Sequence, residues 1–102
     1  MDPEKIMKNS VYALRELVKE LVGEKDHEQL LLPLKNWDVL WELIKKWLVE
    51  LPLTDRDSTI LLVVKHYLPN AQQHIEISLS IHNDFWDEFY KNMLKAKALL
   101  IQ

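Results

Sequence analysis

A chain of 102 residues with no cysteine, one glycine and 13 basic against 16 acidic side chains has room for a single compact domain, residues 1–102, and none for a second. Without cysteine there are no disulfides, thiolate nucleophiles or cysteine-ligated metals, and a net charge of −3 supplies no bulk attraction to polyanions. No apolar run approaches the roughly 18 residues that span a bilayer, and Met1-Asp2-Pro3-Glu4 lacks the layout of a signal peptide, so the expectation is a soluble, cytoplasmic protein with no membrane contact.

The first predicted element is a helix. Asp2 is placed to cap it, Pro3 suits its first turn and Gly23 is a natural stop. Ile6, Met7, Val11, Leu14, Leu17, Val18, Leu21 and Val22 share an arc of roughly 160°, interrupted only by Ser10. Residues 24–35 form a charged connector with a helical turn starting near Asp26, which Pro33 must end. Its leucines are expected to plug the edge of the core.

Residues 36–51 carry three of the four tryptophans, Trp37, Trp41 and Trp47, within eleven positions. With Asn36 as cap and Pro52 as stop, Trp37, Leu40, Trp41, Ile44, Trp47, Leu48 and Leu51 occupy roughly 120° of a helical wheel. Trp37 lies near the centre of that stripe and is expected inside the monomer. Trp41 and Trp47 lie at its margins, where a partner would meet them. Glu42, four residues before Lys46, offers an i,i+4 ion pair.

Thr54-Asp55-Arg56-Asp57 resembles a helix start, yet residues 58–64 are a β-branched apolar run with no face preference. The segment 74–82 alternates apolar and polar without a break, which is the pattern of a strand. A strand needs a partner for its backbone N–H and C=O groups, and the internal candidate is 59–66, joined through Leu68-Pro69-Asn70. Asn83 then caps a last helix whose Phe85, Trp86, Phe89, Tyr90, Met93, Leu94, Leu100 and Ile101 cover nearly half its circumference.

The expected fold class is therefore α+β, predominantly α, with three amphipathic helices packed against one antiparallel two-stranded hairpin. The alternative is an all-α bundle of four to five helices, if 55–68 is helical.

No catalytic, cofactor-binding or metal-ligating residues are assigned. On a strand, His74, Glu76, Ser78, Ser80 and His82 would share one face, but His74 and His82 would stand roughly 26 Å apart, too far to hold one ion. Asp26-His27-Glu28 reads as a charged loop, Asp55 and Asp57 as capping residues, and Ser58, Ser78 and Ser80 lack the glycine-rich elbow of a nucleophile. His66 faces His74 if the hairpin turn is short.

What remains is an excess of broad apolar faces, and interface centres are enriched in aromatic residues. The expectation is a small non-enzymatic protein–protein interaction or regulatory subunit that self-associates, as a homodimer or higher oligomer, through helix faces or a hairpin edge. Trp41, Trp47, Trp86 and Tyr90 are its expected partner-binding residues, and no cofactor or small-molecule substrate is expected. The alternative is a nucleic-acid-binding factor using Lys91, Lys95 and Lys97 of the last helix, with Lys45-Lys46 beside Trp47.

Overall fold

The computed structural model describes residues 2–101. Capping chemistry sets where its first helix begins and ends. The Asp2 carboxylate accepts the Glu4 backbone N–H at 3.0 Å, Pro3 follows, and α1 (Pro3–Val22) stops at Gly23, whose N–H bonds back to Lys19. Gly23 sits at φ 89°, a conformation that costs a residue with a Cβ about 1 kcal/mol or more. Ser10 does not spoil the buried stripe, because its hydroxyl donates to the Ile6 carbonyl one turn back at 3.0 Å.

The connector winds into α2 (His27–Leu30) and a 3₁₀ turn, Leu32–Lys35, which accommodates Pro33 at its start. Leu31 and Leu34 are buried there, while Leu32 faces outward. The tryptophan helix α3 (Trp37–Glu50) buries Leu40, Trp41, Ile44, Trp47 and Leu48. Asn36 precedes it without a side-chain capping bond, contrary to expectation; its carbonyl accepts the Leu40 N–H instead. Leu51 is extended, as a residue before proline prefers to be, and that ends the helix.

The largest correction concerns the second half of the chain. Among the described residues there is no strand and no hairpin, so the fold is all-α, not α+β. Residues expected to pair as strands form α4 (Arg56–Tyr67), a 3₁₀ turn (Pro69–Ala71) and α5 (Gln72–Ser78), before α6 (Asn83–Leu100) completes the fold. The start of α4 is fixed by Asp55, whose carboxylate accepts the Ser58 N–H at 3.0 Å. This bond holds the Asp55 carboxyl below its ordinary pKa. The β-branched run then resolves into a helical face after all. Thr59, Ile60, Val63, Val64 and Tyr67 are buried, while Leu62 points out.

In α5 the alternating residues do split onto two sides, as a helix requires. Ile75 is fully buried and Ile77 is 57% exposed. The segment needs no strand partner because its amides are satisfied locally: Leu79 bonds to Ile75, and Ile81 and His82 both bond to Ser78. The start of α6 also differs from expectation. Asn83 is its first residue and makes no cap bond to the helix, and Ile101 lies exposed rather than on its apolar face.

Helices α1, α3 and α4 all pack on α6, with α5 closing the side between α1 and α4. One continuous hydrophobic core results, drawn from every helix except the short α2. It is closely filled: the void beside Met7, Ile44, Val63 and Met93 is about 20 Å³, room for roughly one water and lined by apolar side chains.

The helical reading of 74–82 makes a direct prediction. Ile75→Ala is expected to cost about 2–5 kcal/mol by cavity formation, whereas Ile77→Ala stays within about 0.5 kcal/mol. Urea melts of the two variants check this, since a strand placing both residues on one face would make the losses similar.

Candidate interaction surface

The aromatic residues singled out by the sequence lie inward. Trp41 and Trp47 retain only 5% and 7% of their accessible surface, and Trp86 retains none. Trp41 stacks on Trp37 with ring centroids 5.8 Å apart, and Trp47 meets the edge of Tyr67 at 6.0 Å. Trp86 packs edge-on against Phe85 and Phe89. Its indole N–H donates to the Ser78 hydroxyl at 3.2 Å, which in turn donates to the Ile75 carbonyl. Tyr90 is half-buried and its hydroxyl donates to the Leu53 carbonyl at 3.2 Å.

The expected order of the stripe is reversed: Trp37 is the half-buried tryptophan and the two marginal ones are interior. Trp47 at one margin is covered by Tyr67 of α4, and Trp41 at the other lies against Trp37. Only Trp37 leaves a buried polar side-chain atom, its Nε1, without a hydrogen-bond partner among the described residues.

The cationic and imidazole groups are dispersed. Lys91 and Lys95 are exposed, but Lys97 donates its ammonium to the Leu51 carbonyl at the end of α3, as a cation at a helix C-terminus should. His27 bonds the Glu24 carbonyl, and Ser78 is buried away from the exposed Glu76, so the shared polar face expected for 74–82 does not form. Among the described residues no cluster of three or more His, Cys, Asp or Glu groups is arranged to hold a metal ion. Arg56 ties the start of α4 to α6, reaching Asp87 at 2.6 Å and the Asn83 carbonyl at 3.4 Å.

Exposed apolar side chains are spread over the molecule, with Tyr12, Leu32, Ile77, Ile81 and Ile101 among them, and one group lies on the outer side of α3 and the adjoining edge of α4. Val39, Leu43, Val49 and Leu62 are each between 47% and 56% exposed. Leu43 and Leu62 line an open groove of about 660 Å³ between α3 and α4, rimmed by Lys46, Glu50, Lys65 and His66. A second, shallower groove continues over α3 between Leu43 and Val49. Nothing in the composition marks these four aliphatic residues over the tryptophans. The signal is positional, because each falls outside the buried arc of its own helix.

Beneath the groove, the Tyr67 hydroxyl donates to the Leu43 carbonyl at 2.7 Å, pinning α4 to α3. Burial, with the nearby Glu50 carboxylate adding to it, pushes the Tyr67 pKa up to about 12. Among the described residues no helix is long and apolar enough to cross a membrane. The chain matches no known family model, and no curated protein or solved structure resembles it significantly.

Tyr67→Phe is expected to cost about 1 kcal/mol near neutral pH through loss of the bond to Leu43. Between the ordinary tyrosine value of 10 and the folded value of about 12, the unfolded chain releases this proton first. Stability therefore falls as pH rises through that interval. Urea melts at about pH 9 and about pH 11.5 are expected to show a smaller alkaline loss in the phenylalanine variant than in the parent.

Proposed function

We propose that this chain is a small, non-enzymatic protein–protein interaction subunit that self-associates through the outer side of α3 and the adjoining groove with α4. The observation that carries the reading is the exposure of Val39, Leu43, Val49 and Leu62 on neighbouring surfaces of two helices, rimmed by lysines and glutamates. Scattered exposed aliphatics are ordinary, but Leu43 and Leu62 share one groove with a charged rim, and Val39 and Val49 flank Glu42 and Lys46 on the adjoining side of α3, a mixture of apolar and charged groups that suits a contact surface. The aromatic residues support that face from behind without touching a partner. Trp47 and Tyr67 form the inner wall of the groove, and their edge-on packing fixes the spacing of α3 and α4.

Sedimentation equilibrium at rising protein concentration tests the reading. The expected result is reversible association in the micromolar range, weakened about tenfold or more by Leu43→Glu or Leu62→Glu. Because both side chains are already half in solvent, neither variant is expected to lower stability by more than about 0.5 kcal/mol. A monomer at high micromolar concentration, or association indifferent to both substitutions, overturns it.

A further inference from the structure

The outer face of α3 carries a short palindrome. Val39, Glu42, Lys46 and Val49 follow one another at spacings of 3, 4 and 3, and at about 100° per residue they fall within an arc of roughly 80°. That arc lies diametrically opposite the buried Ile44. A 3-4-3 spacing reads the same in both directions, so an antiparallel copy of the helix crossing at the level of Ile44 meets the stripe in register.

In that crossing Val39 faces Val49 of the second copy, and Glu42 faces Lys46 of the second copy. Two-fold symmetry then repeats each contact. Apolar residues meet apolar residues at both ends, and opposite charges meet twice in the middle. This is the a-to-d′ pairing of an antiparallel helical seam.

The charges of α3 are disposed to allow it. Instead of the expected i,i+4 pair with Lys46, Glu42 bonds Lys45 at 3.1 Å and keeps 69% of its side-chain surface. Among the described residues Lys46 has no ion-pair partner. The same crossing brings Asp38 and Glu50 of the second copy to one level, but roughly 120° apart around the helix and so on opposite edges of the contact.

Resting on the self-association reading above, we propose that the occupant of this face is a second copy of the chain, with α3 packed antiparallel on α3 and Glu42 paired to Lys46 across the two-fold axis. Leu43 and Leu62 flank the seam on the groove side and Lys45 on the other. A single helix pair is a small interface, at the low end of the size range, so the dimer is weak and reversible.

Charge reversal with mixing is the decisive experiment. Glu42→Lys alone places like charges opposite each other at both symmetric contacts, and Lys46→Glu alone does the same with the opposite sign. Each variant is expected to raise the dimer Kd by about tenfold or more. Mixed in equal amounts, the two variants are expected to form a heterodimer at close to the parent affinity, because both contacts are then attractive. Sedimentation equilibrium of each chain and of the mixture measures this, with far-UV circular dichroism to show that helicity is kept.

A dimeric parent whose Kd ignores both reversals, or single variants that mixing does not rescue, overturns the antiparallel seam and leaves self-association to another surface. A parent that stays monomeric throughout removes the seam and the self-association reading together.

Discussion

The fold depends on one polar contact in an otherwise apolar place, the bond from the Trp86 indole to the Ser78 hydroxyl. Complete burial of a tryptophan removes some 150–250 Å² from water, a gain of roughly 4–6 kcal/mol, but an unpartnered indole N–H would return about 1–3 kcal/mol of it. Ser78 can serve only if α5 stops where it does and the chain turns back at Leu79 to Ile81. The same residue holds that turn together, since its carbonyl accepts from both Ile81 and His82. The position of α6, on which α1, α3 and α4 all pack, is thus coupled to the end of a helix of seven residues.

That coupling explains which parts of the chain were legible from sequence and which were not. Helix α1 announces itself because its cap, first-turn proline, stop glycine and apolar stripe are all local and all agree. Residues 74–82 mislead because their alternation is real and local, whereas the reason they are helical is not local. The partner of Ser78 lies eight residues further on, in another helix. A polar residue in an alternating run has the pattern of one facing water, yet Ser78 is buried and receives the tryptophan. Residues 58–64 were ambiguous for a related reason. A helix with Ile60, Val63 and Val64 inside and Leu62 outside has no clean amphipathic pattern until the exposed leucine is known to be exposed.

The tryptophan cluster lies on α3 as its spacing predicts, but Trp41 and Trp47 are buried and Trp37 is the half-buried one. A wheel shows how wide an apolar stripe is, not how many neighbours cover it. With α6 packed on α3 and Tyr67 of α4 reaching across to it, the covered arc is wide enough to take in Trp41 and Trp47 at its margins. Large aromatic side chains are then buried as the walls of the core. The side chains that α3 leaves exposed are the medium-sized aliphatic residues Val39, Leu43 and Val49, which composition alone would pass over.

The way α3 is held bears on what its outer face can do. Its second half and the segment after it receive three side-chain donors from the interior: Tyr67 to the Leu43 carbonyl, Lys97 to the Leu51 carbonyl and Tyr90 to the Leu53 carbonyl. Two come from α6 and one from α4, so the helix is pinned from both neighbours it packs on. A helix seated this firmly presents the side chains of its outer stripe in a fixed register. A contact made on such a face loses little backbone entropy, and that lowers the cost of association for a small interface. The polar groups of the core therefore do double duty. They satisfy part-buried carbonyls, and they tie α3 and the segment after it to α4 and α6.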